Sequence, residues 1–364
     1  MQRFRKLASM MGIEHAIILA PMAGGTRTPA LVAAVSNAGG LGSLGAGYMT
    51  ADDIAKAIAE IHERTDKPFA VNLFAGGYDG TGSSDAAAML KLIAPWHERL
   101  GLPPPAAAPA GSLPPFEQQV EAVLDSNVPV FSFTFGIPAA GIMRRMKDRG
   151  IKLIGTATTV AEARGLEQAG ADAIVAQGSE AGAHRGTFIA APEDSLVGTI
   201  ALVPQMADSV SVPVIASGGI MDGRGIVAAA ALGASGVQLG TAFMTCPESG
   251  APPAHKAAIR AARDDGTMLT RAFSGRLARG ITNGFAAAMR GHEGELLPYP
   301  AQNNLTRPMR TVAARQDNAD CLSLWAGQAA RSRARCRLPS WSRNCCARRP
   351  RCSRLSLNSH GSRL

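Results

Sequence analysis

The chain is poor in several things that would each announce a function. Outside its last stretch it has only two cysteines, Cys246 and Cys321. That excludes a disulfide framework for the body and fits a reducing compartment. Its most apolar early run, "AIILA" at 16–20, is too short for the core of a secretion signal, and no run approaches membrane-spanning length. The body therefore reads as cytoplasmic, with no membrane partner. The seven histidines, at 15, 62, 97, 184, 255, 292 and 360, never fall in HxH or HExxH spacing, so no metal site is expected. A GxSxG elbow and a Walker loop are also absent. Aromatics are only 5% of the chain while glycines number 40, a composition of tight turns and small-residue contacts.

Charge is short in a more local way. The formal net charge is +9, yet residues 329–364 carry ten arginines and no Asp or Glu. The body is then left with 27 of the 37 basic residues against 28 acidic ones, a net charge of −1. A nucleic-acid partner is not indicated. Four of the six cysteines lie in the same stretch. "RSRARCRLPSWSRNCCARRPRCSRL" at 331–355 has neither helical nor strand period. Back-translated with GC-rich codons and read from the third base of the Arg331 codon, it becomes LARAMPAAELVAELLREAAALLAL, with the apolar spacing of an amphipathic helix. A one-base slip between about Gly327 and Ser332 is the expected cause, and a natural basic tail is the alternative. Residues 329–364 are given no function.

What is present is a rhythm of short apolar runs: "AIILA" (16–20), "GLGSL" (40–44), "FAVNLF" (69–74), "PVFSFTFG" (129–136), "IKLIGTA" (151–157), "DAIVAQG" (172–178), "VPVIASGG" (212–219) and "GVQLGTAF" (236–243). Strands buried on both faces read this way. Between them lie helix-like segments at 29–38, 51–65, 138–149, 159–169 and 222–232. Thr50, Thr158 or Thr159, and Asp222 stand as N-caps, and Gly150, Gly170 and Gly233 as stops. Eight βα units in succession predict an α/β fold, a (β/α)₈ TIM barrel with a small helical cap domain; an open doubly wound sheet is the alternative. The predicted boundaries are 1–245 for the barrel, with 311–328 returning to it, and 246–310 for the cap. Residues 75–115 read as a loop with a short helix on the active-site side.

Barrel chemistry sits at the C-terminal strand ends. The unusual residues gather there: Pro21 and Met22, Asn72, Gln177 to His184, Gly218 and Gly219, Gly240 and Thr241. The loops after the seventh and eighth runs, "ASGGI" and "LGTAF", are where barrels often bind phosphate through backbone N–H groups. Either glycine pair alone would be an ordinary turn; the coincidence at both strands points to a phosphate. It could belong to FMN, a nucleotide or a sugar phosphate, the last weakened by the lack of Lys or Arg at the other strand ends. Asn72 and Gln177 suit the edge of an isoalloxazine ring, or simply cap loops. "APMAG" at 20–24 gives a stiff surface for a flat ring.

In order, APMAGG (20–25), NLF (72–74), FSFTFG (131–136), GTATT (155–159), QGSEAGAHRGTF (177–188), ASGGI (216–220), QLGTAF (238–243), YPAQN (299–303) and LSLWAGQ (322–328) resemble nitronate monooxygenases, class I, over roughly residues 5–328. The resemblance implies an FMN-binding barrel with a small helical domain. It implies FMN contacts at Asn72, Gln177, Gly182, Gly219 and the run Gln238, Leu239, Gly240, Thr241, and His184 as the active-site histidine. Two departures stand out: Ala183 where the family usually has Gly, and "NLTRPMR" where it often has a Lys.

The implied reaction is oxidative denitrification of an alkyl nitronate, with propionate 3-nitronate the expected substrate, by FMN and O₂ to a carbonyl compound and nitrite, a detoxification. A histidine can take a carbon-acid proton or steady an anion, and flavin supplies the redox step. Glu180 and Arg185 read as loop-ordering or surface groups. The alternatives are an NAD(P)H-dependent quinone or enoyl-thioester reductase of the same flavin-barrel superfamily, and a flavin-binding protein without turnover. A homodimer is one assembly the sequence permits.

Overall fold

A computed structural model describes residues 1–25, 28–76, 86–106 and 113–331. Eight parallel strands form its centre. In chain order they are β1 (Ile17–Leu19), β2 (Gly42–Gly45), β3 (Phe69–Phe74), β4 (Val130–Thr134), β5 (Lys152–Ala157) and β6 (Ala173–Gln177). After the short strand β7 (Ala183–His184) come β8 (Val214–Ser217) and β9 (Gly236–Leu239). The hydrogen-bonded order is β1-β9-β8-β6-β5-β4-β3-β2, and a parallel bridge from Ile18 to Leu41 brings the first and last edges together. This is the (β/α)₈ barrel that the run of strands predicts, not an open sheet. The strands are almost wholly buried, which is why they read as unbroken apolar runs.

The helices outside follow their own periodicity. Ala51–Arg64 buries Ile54, Ile58 and Ile61, spaced along one face, and Thr50 accepts a hydrogen bond from Asp53 N at 3.2 Å as its N-cap. Thr159, not Thr158, caps Val160–Gln168; Thr158 is fully buried instead, with its N–H and hydroxyl both on Glu162.

The structure corrects the sequence reading in several places. The eighth run ends as a strand at Leu239, and Thr241–Met244 is a helical turn. The helix expected within 75–115 is Ala87–Arg99, longer than the short one read there. Its Met89, Ile93 and Trp96 pack into a second apolar core with Phe273, Phe285, Leu305 and Met309, apart from the barrel core. The stretch read as a small helical cap also contains a β-hairpin, β10 (Thr267–Thr270) and β11 (Ala278–Ile281). The helix Ala301–Arg315 runs across the expected boundary at 310. These pieces escaped because the four-residue strands carry Thr, Gly and Arg in place of an apolar run.

Residues 332–364, on which most of the frame-slip reading falls, lie outside the described residues. Before them Gln328–Arg331 forms a short 3-10 turn with Ala330 buried.

Candidate functional site

The site grows from the end of β6. Gln177 is its last residue, and it shares a rung with Ser217 of β8, which in turn lies opposite Gln238 of β9. Beyond it the chain turns through Gly178–Gly182 into β7, which pairs antiparallel with β11, Ala278 facing His184. The loop is stitched from inside. The Glu180 carboxylate accepts from Thr199 N and Thr199 Oγ1, both at 2.8 Å, while Thr199 Oγ1 also reaches Gly218 O at 3.1 Å. Arg185 is 1% exposed, not a surface group. Its guanidinium donates to Gln177 O and Gly178 O at 2.8 Å and to Ser195 O at 2.6 Å. Burial lowers its pKa to about 10, so it stays charged at neutrality. Both residues order the loop.

Those bonds orient the two amides. Gln177 Oε1 accepts from Gly186 N at 2.8 Å, and its Nε2 donates to His184 O at 3.0 Å. One Nε2 hydrogen is left over. Asn72, in β3, donates from Nδ2 to Ser132 Oγ at 3.0 Å, which leaves Oδ1 without a partner among the described residues. The pair thus offers one donor and one acceptor at the barrel mouth. Pro21 and Met22 follow β1 and are half-buried. A Cβ placed on Gly240 would stand 3.4 Å from Ala20 Cβ and 4.0 Å from Met22 Sδ. Gly218 and Gly219 follow β8, Gln238 and Leu239 end β9, and Thr241 starts the turn that Gly240 leads without a side-chain cap. The residues singled out in the sequence therefore do converge on one end of the barrel.

His184 stands among rings. Its imidazole centroid is 6.1 Å from Phe135, 6.0 Å from Tyr299 and 5.6 Å from Trp325. Phe135 follows β4 directly and holds φ at 75°, a backbone region bulky residues avoid. The neutral state of His184 is favoured strongly: burial first, then the charges of Arg276 and Arg310, bring its pKa to about 3. Its Nε2 lies 2.8 Å from Ser274 Oγ.

Cations flank this pocket. Arg276 lies 3.9 Å over the Phe135 ring and donates to Arg185 O and Thr187 O. Arg310 is held by Asn303 O at 2.7 Å and Asn303 Oδ1 at 2.9 Å. Arg307 lies 5.9 Å from the Tyr48 ring, whose hydroxyl meets that of Tyr299 at 3.2 Å. Among the described residues none of these three arginines is in an ion pair. Two arginines of "NLTRPMR" thus stand in the region for which a Lys was expected. Ser274, Arg276 and Tyr48 were not signalled by the sequence. They reach the site from segments far from it in the chain, and "FSGR" carries no motif of its own.

Known proteins resemble the chain along most of its length. The family model described as nitronate monooxygenase matches residues 5–338. A probable nitronate monooxygenase of Staphylococcus aureus (strain MSSA476) is 46% identical over 328 residues, 90% of this chain and 92% of its relative. The structure of nitroalkane oxidase from Streptomyces ansochromogenes superposes with a TM-score of 0.85 at 38% identity, covering 93% of this chain and 97% of that one. FabK from Thermotoga maritima follows at 0.73 and 33%, covering 94% of each.

Proposed function

This chain belongs to the nitronate monooxygenase family, and from that premise we propose that it oxidises alkyl nitronates to carbonyl compounds and nitrite with FMN and O₂. Members of the family are flavin-dependent oxidoreductases. The observation that carries the finer reading is the surroundings of His184. A neutral imidazole stands among three aromatic rings, beside Arg276 and Arg310, neither of which is in an ion pair among the described residues. Such a pocket suits an anionic carbon acid.

The residues at the strand ends fit FMN on their own chemistry. Asn72 Oδ1 and Gln177 Nε2 present an acceptor and a donor for a flavin edge. Pro21 and Met22 would lie beside the ring. Gly182, Gly218, Gly219 and the run Gln238, Leu239, Gly240, Thr241 would hold the phosphate end, where no side chain stands on the glycines. Bound there, FMN supplies the electron transfer.

The chain's own residues do the rest. Arg276, Arg307 and Arg310 draw an anion inward and hold its charge. Phe135, Tyr299 and Trp325 keep water from the reacting carbon. His184, uncharged across the physiological range, takes the α-proton of a neutral nitroalkane; a nitronate arrives already deprotonated and needs His184 only for position. Propionate 3-nitronate, with a second negative charge, fits the cationic rim best. Cytoplasmic residence and a homodimer belong to the same proposal.

Nitrite release and O₂ uptake with propionate 3-nitronate test the reading. Turnover no faster than with free FMN would overturn it. Rapid anaerobic bleaching of the flavin by NADH, without nitrite from nitronates, would assign the site to a reductase instead.

A further inference from the structure

His184 has two ring nitrogens, and which one carries the proton decides which can accept another. The hydrogen bonds around Ser274 bear on this. Ser274 is 1% exposed and has one hydroxyl hydrogen. That hydroxyl lies 2.8 Å from His184 Nε2, 3.1 Å from Arg276 O and 3.3 Å from Arg276 N. Arg276 O can only accept and Arg276 N–H can only donate. Pointing its hydrogen at Arg276 O, Ser274 keeps its lone pairs for Arg276 N–H and for an Nε2–H. Turned toward Nε2 instead, the hydroxyl would leave the partly buried carbonyl without this donor. The first arrangement satisfies every group at once.

We propose that Ser274 is a positioning residue that fixes His184 as the Nε2–H tautomer, leaving Nδ1 as the nitrogen that accepts the substrate proton. Nδ1 has no partner among the described residues and is not sealed from solvent. The inference rests on the proposed role of His184 as the base for neutral nitroalkanes.

The turn that carries Ser274 is built to hold still. Gly275 has φ at 81°, and a Cβ there would come within 2.3 Å of Leu297 O and 2.7 Å of Tyr299 N. The turn is thereby pressed against the segment that carries Tyr299. Arg276 ties its other side to the chain that follows β7, through Arg185 O and Thr187 O. The Ser274 hydroxyl is therefore fixed relative to both His184 and the ring wall. The charged groups facing His184 are Arg276 and Arg310, both cationic. They disfavour the imidazolium, so the tautomer decides reactivity over the working pH range.

The test is ¹⁵N NMR of the histidine-labelled, flavin-loaded protein, with the His184→Asn variant used to assign the signals. The expected result is a protonated Nε2 and an unprotonated, imine-type Nδ1 on His184. A protonated Nδ1 in the wild type would overturn the proposal, whatever the activity, so its failure is separate from failure to release nitrite. Ser274→Ala should mix the two tautomers. It should lower kcat/KM for a neutral nitroalkane at least tenfold more than for its nitronate, and Ser274→Thr should restore both. An unchanged tautomer, or equal losses on the two substrates, would also count against it. If Ser274→Ala fails to fold, the wild-type spectrum still decides.

Discussion

Gly182 lies flat against Gly327. A Cβ built on Gly182 would come 2.5 Å from Ala326 C and 2.6 Å from Gly327 N, closer than packed atoms allow. Gly327 N also donates to Thr241 Oγ1 at 3.0 Å, and Gln328 N to Glu180 O at 3.0 Å. The 324–328 segment is thus threaded between the β6–β7 loop and the end of β9. Gly182→Ala should push it outward and disturb Trp325 and Thr241 together. We expect FMN affinity to fall by about tenfold or more and thermal stability to drop by about 1–3 kcal/mol. Fluorescence titration with FMN checks this; wild-type affinity would show that the segment yields freely.

His184→Asn should leave a yellow, folded protein, since the side chain makes one hydrogen bond and its backbone O, not its ring, holds Gln177. Turnover of neutral nitroalkanes should fall by about 10²–10⁴, the range a general base contributes. Loss on pre-formed nitronates should be much smaller. Steady-state kinetics on matched nitroalkane and nitronate pairs measures the split, and equal losses would remove the proton-transfer role.

Acid should weaken the fold through buried imidazoles. His184 is held to a pKa of about 3 by burial and by Arg276 and Arg310, and His255, 4% exposed, to about 4 by burial against a partial opposing effect from Trp325 O. Both folded values lie below the unfolded value of about 6.5, so the unfolded chain binds more protons between them. The stability they contribute is complete above about pH 6.5 and is lost as pH falls toward 4 and then 3. Between pH 6.5 and 5 the expected loss is on the order of 1–2 kcal/mol per histidine. Urea unfolding at those two pH values reads it, and His184→Asn should remove roughly half. A stability independent of pH in this window would contradict it.

Ala183 occupies the left-handed region at φ 64°, where the family usually has Gly. That conformation costs a non-glycine residue about 1–2 kcal/mol. The entropy that glycine adds to the unfolded chain costs about 0.4–1 kcal/mol. The first is larger, so Ala183→Gly should stabilise the protein by about 0.5 kcal/mol with activity retained. Chemical denaturation decides it; a destabilised variant would mean the Ala183 methyl group makes a contact worth more than its strain.

Much of this molecule was legible along the chain. Strands buried on both faces must be apolar at every position, so the eight barrel strands declared themselves, and with them the end of the barrel where Asn72, Gln177, Gly219 and Gly240 meet. Helix caps at Thr50 and Asp222 were readable because a cap acts within three residues. Other features had no local signature. β10, β11 and β7 exist because they pair with one another, not because their residues favour strands. Whether Arg185 orders the loop or lies on the surface was open in the sequence; the fold decides it by closing carbonyls around the guanidinium. Ser274 lies 90 residues from His184, and only tertiary packing sets their hydroxyl and imidazole 2.8 Å apart. Periodicity and capping are short-range and leave their mark in sequence; the state of a buried imidazole depends on which distant polar atoms surround it, and folding alone brings those together.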